Sequence, residues 1–325
     1  MTKAGEQDAA ARAEQVRTVV DVGVDLLWAG EADDADGLFR KAVAEFGDDD
    51  APEVRAQVAR ALAGRVEALA TLERPSEALA AADDALLRFG DDADPEVRLP
   101  LAMALSFSGV LLMNAGFLDA AADRFGEAVR RSGDDTAELR RVWAAALATG
   151  ARVLARLGRI EEASEALDEL ERGGIDLDSV AGPAAEVLFA RGVVRKHEGY
   201  AAAALEAHDE VVRRFGDNPD PEVRRFAAGS LHESAGLLEQ LEPGDAQRQL
   251  AAYDEVIRRY GDDADDGTRA VVASSMLSTA NVLRNHRRDG EARAVDEDIV
   301  RRFAGVDDPG VARIVAAASE ALEEG

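Results

Sequence analysis

The chain has 325 residues, a formal net charge of −27 and no cysteine. So strong a negative charge repels phosphate backbones and anionic lipid headgroups, which disfavours nucleic acid and membrane surfaces as partners. The absence of cysteine excludes disulfides, thiolate metal sites and cysteine nucleophiles.

The amino-terminal residues and the hydropathy of the chain predict a cytoplasmic protein. The first residues, MTKAGEQDAAARAEQ, lack the apolar core of a signal peptide. No run approaches the roughly 18 apolar residues that a membrane span needs. The abundance of arginine, alanine, glycine and aspartate is typical of a GC-rich bacterial source.

Helix start and stop signals divide the chain into alternating A and B helices. In the third copy, for example, Asp94 and Pro95 are typical of a helix start, Gly116 ends helix A, and Gly133 ends helix B. The predicted A helices are 6–29, 52–72, 95–115, 136–157, 179–198, 221–241 and 266–286. The predicted B helices are 32–46, 75–89, 118–132, 160–172, 201–215, 245–260 and 289–303. A lone helix over 308–323 closes the array with a polar end.

A phrase similar to RRFGDNPDPEVRRF (213–226) marks each boundary between copies. Its glycines recur every 41 to 45 residues, at Gly47, Gly90, Gly133, Gly174, Gly216, Gly261 and Gly305. A repeat of this length is one helical hairpin, which cannot bury its apolar face alone, so neighbouring hairpins must stack. The period therefore predicts a single all-α array over residues 1–325.

One boundary, at 173–183, departs from this pattern. It lacks the Asp-Pro-Glu start, and Gly182-Pro183 falls where helix A5 should already be running. Proline inside a helix removes a hydrogen bond and clashes with the preceding turn, so A5 is expected to begin late, at about Pro183, or to kink. The boundary is either a tolerated irregular loop or a hinge that divides the chain into 1–172 and 184–325.

Two further irregularities lie within hairpins. Pro100 is expected to kink the first turns of helix A3. The sixth turn, at 241–250, is two or three residues longer than its equivalents and is expected to protrude.

Small residues recur at fixed sites of both helices. The site in mid-helix A holds Gly23, Gly109, Ala151, Gly192, Gly236 and Ala280. The site in helix B holds Ala35, Ala78, Ala121, Ala163, Ala204 and Ala292, and a larger residue follows four positions later at Phe39, Phe125, Leu167 and Tyr253. The turn between the helices has a glycine in four copies, at Gly30, Gly116, Gly158 and Gly199. This glycine is replaced by Glu73 and by Arg287 in two other copies, and it is shifted to Pro243-Gly244 in a third. Taken together, these sites resemble the tetratricopeptide repeat family.

The resemblance implies a right-handed α-solenoid of about seven helix-turn-helix repeats with a C-terminal capping helix. It also implies a non-enzymatic scaffold or adaptor for protein–protein interaction. The period exceeds the family's usual 34 residues by about nine, and the surplus lies in stretches such as GDDADPEVR. HEAT and armadillo repeats have periods in this range and are the alternative folds, but they do not predict the alanine sites of helix B.

No catalytic, cofactor or metal site is predicted. The aspartate-rich loops lack the spacing of an EF-hand, and helix capping is the simpler interpretation of their carboxylates. The four histidines fall in different repeats without metal-ligand spacing, at His197, His208, His232 and His286. No phosphate-binding glycine loop or nucleophile motif is present in the sequence.

In tetratricopeptide arrays the A helices line a concave groove, so the resemblance implies which residues contact a partner. The apolar part comprises Val20, Val24, Leu27 and Trp28 of A1 with Met103, Ser106, Val110, Met113 and Asn114 of A3. The more basic part comprises Arg152 and Arg156 of A4, Phe189, Val193, Lys196 and His197 of A5, and Asn281, Arg284 and Asn285 of A7. The family's lysine, asparagine and arginine clamp for a C-terminal carboxylate is not reproduced in these positions.

Basic groove residues in so acidic a chain favour a protein or peptide partner with an acidic portion, held by the planar fork of arginine. The alternative is that these cations pair with neighbouring carboxylates and that the apolar residues pack between helices. A different class of function is a regulatory sensor that binds a small anionic ligand or peptide and changes curvature at Gly182-Pro183. No feature of the sequence indicates an oligomeric state.

Overall fold

A computed structural model describes residues 3–133, 135–242 and 244–324, and the regular structure of these residues is entirely helical. The α-helices are α1 (Lys3–Trp28), α2 (Ala32–Phe46), α3 (Pro52–Thr71), α4 (Pro75–Phe89), α5 (Pro95–Asn114), α6 (Leu118–Ser132), α7 (Ala137–Arg156), α8 (Ile160–Arg172), α9 (Ala181–His197), α10 (Ala201–Phe215), α11 (Pro221–Leu241), α12 (Ala246–Tyr260), α13 (Asp266–Asn285), α14 (Asp289–Phe303) and α15 (Pro309–Glu324). Helices A1 to A7 are the odd-numbered α1 to α13, and B1 to B7 are the even-numbered α2 to α14. The predicted all-α hairpin fold is confirmed.

The helices form two compact units, Met1–Ile175 and Asp176–Gly325. Within each unit, every helix A packs against its own helix B and against the next helix A. Where another helix A follows in the same unit, helix B also packs against it, so the apolar face of that hairpin is covered by its neighbour. The first unit contains four hairpins, and the second contains three hairpins and α15.

Residues of complementary size meet where a helix B is enclosed by two A helices. Phe39 of α2 lies between Gly23 and Gly64, where an added Cβ would lie 2.6 Å and 2.5 Å from the ring. In the third hairpin, a Cβ added at Gly109 would lie 2.9 Å from Phe125. These glycines supply the space that a phenylalanine ring requires, because a real Cβ cannot approach another atom so closely.

The second hairpin reverses this arrangement. Val66 occupies the register of Gly23 and Gly109, and Ala82 occupies the register of Phe39 and Phe125. Both residues are fully buried in one apolar cluster. The larger side chain has therefore moved from helix B to helix A, and the cluster remains packed.

The predicted alanine site of helix B is a buried position. All six alanines are buried, namely Ala35, Ala78, Ala121, Ala163, Ala204 and Ala292. In the sixth hairpin the same register holds Gln249, which is also buried.

Charged residues of one boundary phrase form ion pairs with those of the next phrase along the chain. The interpretation of the aspartates as helix caps did not include these ion pairs. An arginine near the start of one helix A binds the aspartate in the loop after the following helix B. The pairs are Arg12–Asp49 at 2.6 Å, Arg55–Asp92 at 2.7 Å, Arg98–Asp135 at 2.6 Å and Arg224–Asp263 at 2.7 Å. We call this recurring contact the arginine–aspartate clamp. The hydrogen bond from Arg12 holds the pKa of Asp49 below its ordinary value.

Capping by other aspartates of the phrase is confirmed. The carboxylates of Asp94, Asp220 and Asp265 accept hydrogen bonds from backbone N–H groups in the first turns of α5, α11 and α13. These N–H groups have no partner inside the helix, so the caps stabilise its start.

The glycines that follow the B helices have two different roles. The backbone of Gly133, Gly174 and Gly305 has a positive φ. The backbone of Gly47, Gly90, Gly216 and Gly261 has the right-handed helical conformation, which any residue can adopt. A Cβ at Gly47 would lie 2.5 Å from the Val43 carbonyl oxygen and 2.9 Å from Arg88 Nη1. Arg88 donates a hydrogen bond to the Gly47 carbonyl at 3.0 Å, so this glycine provides space for a cation of the next hairpin.

The irregular boundary contains a short 3₁₀ turn, Leu177–Val180, before α9 begins at Ala181. The predicted late start of helix A5 is confirmed. The helix begins two residues after position 179, where the repeat pattern places it, and two residues before Pro183, where the late start was expected. Pro183 lies in the first turn of α9, where a backbone N–H would have no intrahelical partner and its absence is tolerated. The hinge at this boundary stays a prediction.

The other two irregularities lie in the third and sixth hairpins. Helix α5 continues through Pro100 to Asn114, and the kink expected there stays a prediction. In the sixth turn, Pro243 lies outside the described residues, while Glu242 and Gly244 on either side are exposed.

The expectation that no segment approaches the properties of a membrane span requires a correction at α5. By length and composition this helix is long and apolar enough to cross a membrane, with a mean hydropathy of 1.4 over 18 residues. Half of that segment is buried in the protein, and Leu101 and Leu105 lie in the apolar core of the first unit. The apolar residues of α5 are thus explained by its central place between α3 and α7.

A histidine takes the place of the phenylalanine in the fifth hairpin. His208 is fully buried, lies in edge contact with Phe189 at 5.5 Å between ring centroids, and has Nδ1 3.4 Å from Ser230 Oγ. Among the described residues, its Nε2 has no hydrogen-bond partner. Burial lowers the pKa of His208 to about 4, because the imidazolium form would lose its hydration.

The complementary sizes predict that Gly109→Val and Phe125→Ala compensate each other. The first substitution overpacks the contact and should cost about 1 to 3 kcal/mol of unfolding free energy, and the second leaves a cavity and should cost about 3 to 5 kcal/mol. The double variant reproduces the pair in the second hairpin, so its loss should be smaller than the sum by at least about 1 kcal/mol. Urea unfolding of the four proteins measures this coupling, and strict additivity would contradict it.

The burial of His208 predicts a loss of stability in acid. Its folded-state pKa lies below the unfolded value of about 6.5, so the unfolded chain binds the extra proton as the pH falls. Between pH 7.5 and 5.0 this group should remove about 2 kcal/mol of unfolding free energy. His208→Phe should lack this part of the pH dependence, whereas substitution of the exposed His197 by Asn should retain it. Equal pH dependence in all three proteins would contradict the assignment.

Candidate functional site

The first unit carries an apolar pocket of about 340 Å³ on three successive A helices, α1, α3 and α5. Its walls come from about one turn of α1, two turns of α3 and three turns of α5. The lining residues are Val24, Leu27, Trp28, Arg60, Ala63, Gly64, Glu67, Glu96, Leu99, Pro100, Met103 and Phe107. The pocket exists because helices of consecutive hairpins lie side by side, so it is a product of the repeat.

The aromatic wall of the pocket is open to solvent. Trp28, the last residue of α1, is 83% exposed, and Met103 of α5 is 36% exposed. Val24 and Leu27 are half-buried beneath them and pack against the core of the first unit. An indole ring held by a helix end beside a flexible thioether is typical of a surface that receives an apolar side chain.

Three charged groups line the pocket. Arg60 is held in place by its neighbours, because it donates hydrogen bonds to Asp21 at 2.9 Å and to Gln57 at 2.6 Å. Burial raises the pKa of Glu67 above its ordinary value. Glu96 lies in the first turn of α5, where a carboxylate interacts favourably with the helix dipole.

Of the groove residues predicted from the sequence, the structure brings Trp28 and Met103 together with Val24 and Leu27. The inclusion of Val20 was wrong, because it is fully buried in the core. Met113 is half-buried against the core, and Asn114 is exposed at the end of α5, outside the pocket.

The predicted basic residues of the first unit lie on α7. Arg152 is half-buried and Arg156 is exposed, and each interacts with neighbouring residues. They do not line the apolar pocket.

In the second unit, two of the predicted cations are engaged in ion pairs. Lys196 Nζ lies 2.7 Å from Glu233, and Arg284 Nη1 lies 2.6 Å from the buried Asp296. Arg284 also donates a hydrogen bond to Asn281 at 2.8 Å. A ligand anion at either cation would have to compete with a carboxylate that the protein already supplies.

The other predicted groove residues of the second unit differ in exposure. Phe189 is half-buried and packs against His208 and Phe226, with the Phe226 ring centroid 5.7 Å away. His197 and Asn285 are exposed at the ends of α9 and α13. The groove as a binding surface stays a prediction.

Sequence reasoning assigned no groove residue to helix A2, and here it missed Arg60 and Glu67. Glu67 occupies the register of Val24, and Arg60 occupies the register of Met103. Applying the registers of A1 and A3 to the intervening helix would have identified both residues.

Within the described part of the chain, no group of three or more histidine, aspartate or glutamate side chains is placed to hold a metal ion. The aspartates of the boundary loops are instead engaged by arginines and by helix N–H groups. The chemistry that the pocket offers is apolar contact with a charged rim.

No family model matches the chain, and no curated protein matches its sequence. The solved structures similar in fold include tetratricopeptide repeat proteins. One, from Parabacteroides merdae ATCC 43184, is 10% identical, with 94% of this chain and 99% of that chain covered and a TM-score of 0.48. Another, NprR in complex with its cognate peptide NprX, is 12% identical, with coverages of 94% and 82% and a TM-score of 0.39. Similarity at this level concerns the fold alone, so function has to be argued from the residues of this chain.

Proposed function

We propose that the chain is a non-enzymatic interaction scaffold that binds a protein or peptide segment through the A helices of its first unit. The apolar pocket on α1, α3 and α5 carries this proposal. Its partner is expected to insert a large apolar side chain between Trp28 and Met103. The mechanism is geometric, because the helices hold the two residues in place before the partner arrives.

The exposure of Trp28 supports this role on energetic grounds. Tryptophan is enriched among the residues that dominate binding energy, because it buries a large apolar area while losing little conformational freedom. A volume of about 340 Å³ suits one or two large side chains. The half-buried floor at Val24 and Leu27 excludes water from the contact once it is covered, which strengthens the binding.

The acidic portion of the partner is the finer part of the proposal, and Arg152 and Arg156 of α7 support it. They belong to the same unit as the pocket, two hairpins after α3. Arginine binds a carboxylate through two parallel hydrogen bonds, so a segment with an apolar anchor and an acidic portion could engage both places.

Selection of peptides from a random display library on the full chain tests the pocket. Trp28→Ala and Met103→Asp should each weaken a selected peptide at least tenfold in calorimetry, because they remove the walls that contact its anchor. The melting temperature of Trp28→Ala should not change, since its side chain is already solvated.

The matched control is Leu87→Ala on α4. Leu87 is 86% exposed and lies outside the pocket, so its removal should leave peptide affinity within twofold. Binding that survives both pocket substitutions, or that depends equally on Leu87, would contradict the proposed site.

Charge reversal of Arg152 and Arg156 to glutamate tests the acidic portion. Peptides selected on the wild-type chain should contain aspartate or glutamate and should bind the double variant at least tenfold more weakly. Peptides without acidic residues should be unaffected. Loss of binding for both groups, together with a lowered melting temperature, would indicate a structural role and would contradict this part of the proposal.

A further inference from the structure

The arginine–aspartate clamp has a fixed composition in the hairpins where it forms. The aspartate lies two residues after the glycine at the end of helix B, as in Gly90 and Asp92. The last residue of helix B is aromatic in three of the four clamps, and in two of them the guanidinium packs on its ring. Arg55 lies 5.1 Å from the Phe89 centroid, and Arg224 lies 5.2 Å from the Tyr260 centroid.

The fourth hairpin keeps the arginine of the clamp and loses both of its partners. Arg140 has the register of Arg55 and Arg98. Helix α8 ends at Arg172, which stands at the position of the aromatic residue, and Ile175 lies two residues after Gly173, the first glycine that follows the helix. The next residue, Asp176, accepts a hydrogen bond from the backbone N–H of Asp178 at 3.1 Å. Arg140 donates a hydrogen bond to the Gly173 carbonyl oxygen instead. Among the described residues, neither Arg140 nor Arg172 has a carboxylate within ion-pair distance.

These two arginines line one pocket of about 380 Å³ with Trp143, Gly133 and Gly173. Trp143 packs closely on the loop, because a Cβ added at Gly173 would lie 2.6 Å from its ring. The pocket thus combines two guanidinium groups with an indole ring that holds the loop. Two cations placed together repel each other, and an anion between them removes that repulsion.

We infer that this pocket binds a carboxylate of an acidic peptide segment, which takes the position that the clamp aspartate holds in the other hairpins. Arg140 and Arg172 would each donate to the ligand carboxylate, and the planar fork of arginine favours this geometry. The site lies apart from the apolar pocket and from Arg152 and Arg156, so it stands or fails separately from the proposed function.

Titration with an N-acetylated, amidated tetraglutamate peptide tests this inference. The chain has two tryptophans, so Trp28→Phe leaves Trp143 as the fluorescent reporter in the full-length protein. The peptide should cause a saturable change in Trp143 emission, with a dissociation constant of about 1 mM or lower at 0.05 M salt and weaker binding at 0.5 M salt. The absence of a saturable change would overturn the inference.

Two variants locate the binding, and one serves as the control. Arg140→Gln should weaken the peptide at least tenfold, and Ile175→Asp should do the same because it supplies the missing clamp carboxylate within the chain. Arg55→Gln alters an arginine that already holds Asp92, so the affinity should stay within twofold. Equal affinity in the Arg140→Gln and Ile175→Asp variants and the parent would overturn the inference. A uniform loss in all three variants would also overturn it, since it would reflect only the net charge.

Discussion

A helical hairpin of about 43 residues cannot enclose its own apolar face, and the structure depends on how each hairpin is fitted to the next. Phe39 shows the constraint directly, because its ring occupies space left by a glycine on its own helix A and another glycine on the following one. The volumes of three helices are thereby linked. A change at one of them is felt at the others, because protein interiors have little free space.

The helix boundaries could be predicted because their signals are local. Aspartate caps, proline at the first helical position and glycine at the turn each act on backbone groups within about four residues of their own position. The arginine–aspartate clamp could not be predicted in this way. Arg55 and Asp92 are 37 residues apart. The hairpin pattern predicts that helix B brings the chain back towards the start of helix A, but it does not say which side chains meet there. Each also had a sufficient local explanation, since arginine and aspartate are ordinary surface residues.

The candidate site shows a similar division. Trp28 and Met103 were found because their registers in helix A imply a common face. Val20 was misplaced because register alone does not say whether a neighbouring hairpin covers a position. The cations of the groove are visible in the sequence, but the carboxylates that pair with them are not. Arg284 of α13, for example, is paired with Asp296 of α14. The apolar character of α5 likewise has its reason in tertiary packing, which a hydropathy profile does not contain.

The clamp connects neighbouring hairpins, but it does not specify which hairpin is the neighbour. Its arginine and aspartate are the same in four copies, so Arg12 would accept Asp92 as readily as Asp49 if the second hairpin were passed over during folding. The side-chain volumes disfavour the packing of the first hairpin directly on the third. In the register where α3 offers Gly64 to Phe39, α5 carries Phe107, and two phenylalanine rings would meet where one fits. Neighbour identity in this chain is thus encoded sterically, and a repeat skipped in folding is penalised by the collision of rings rather than by the loss of a charge pair.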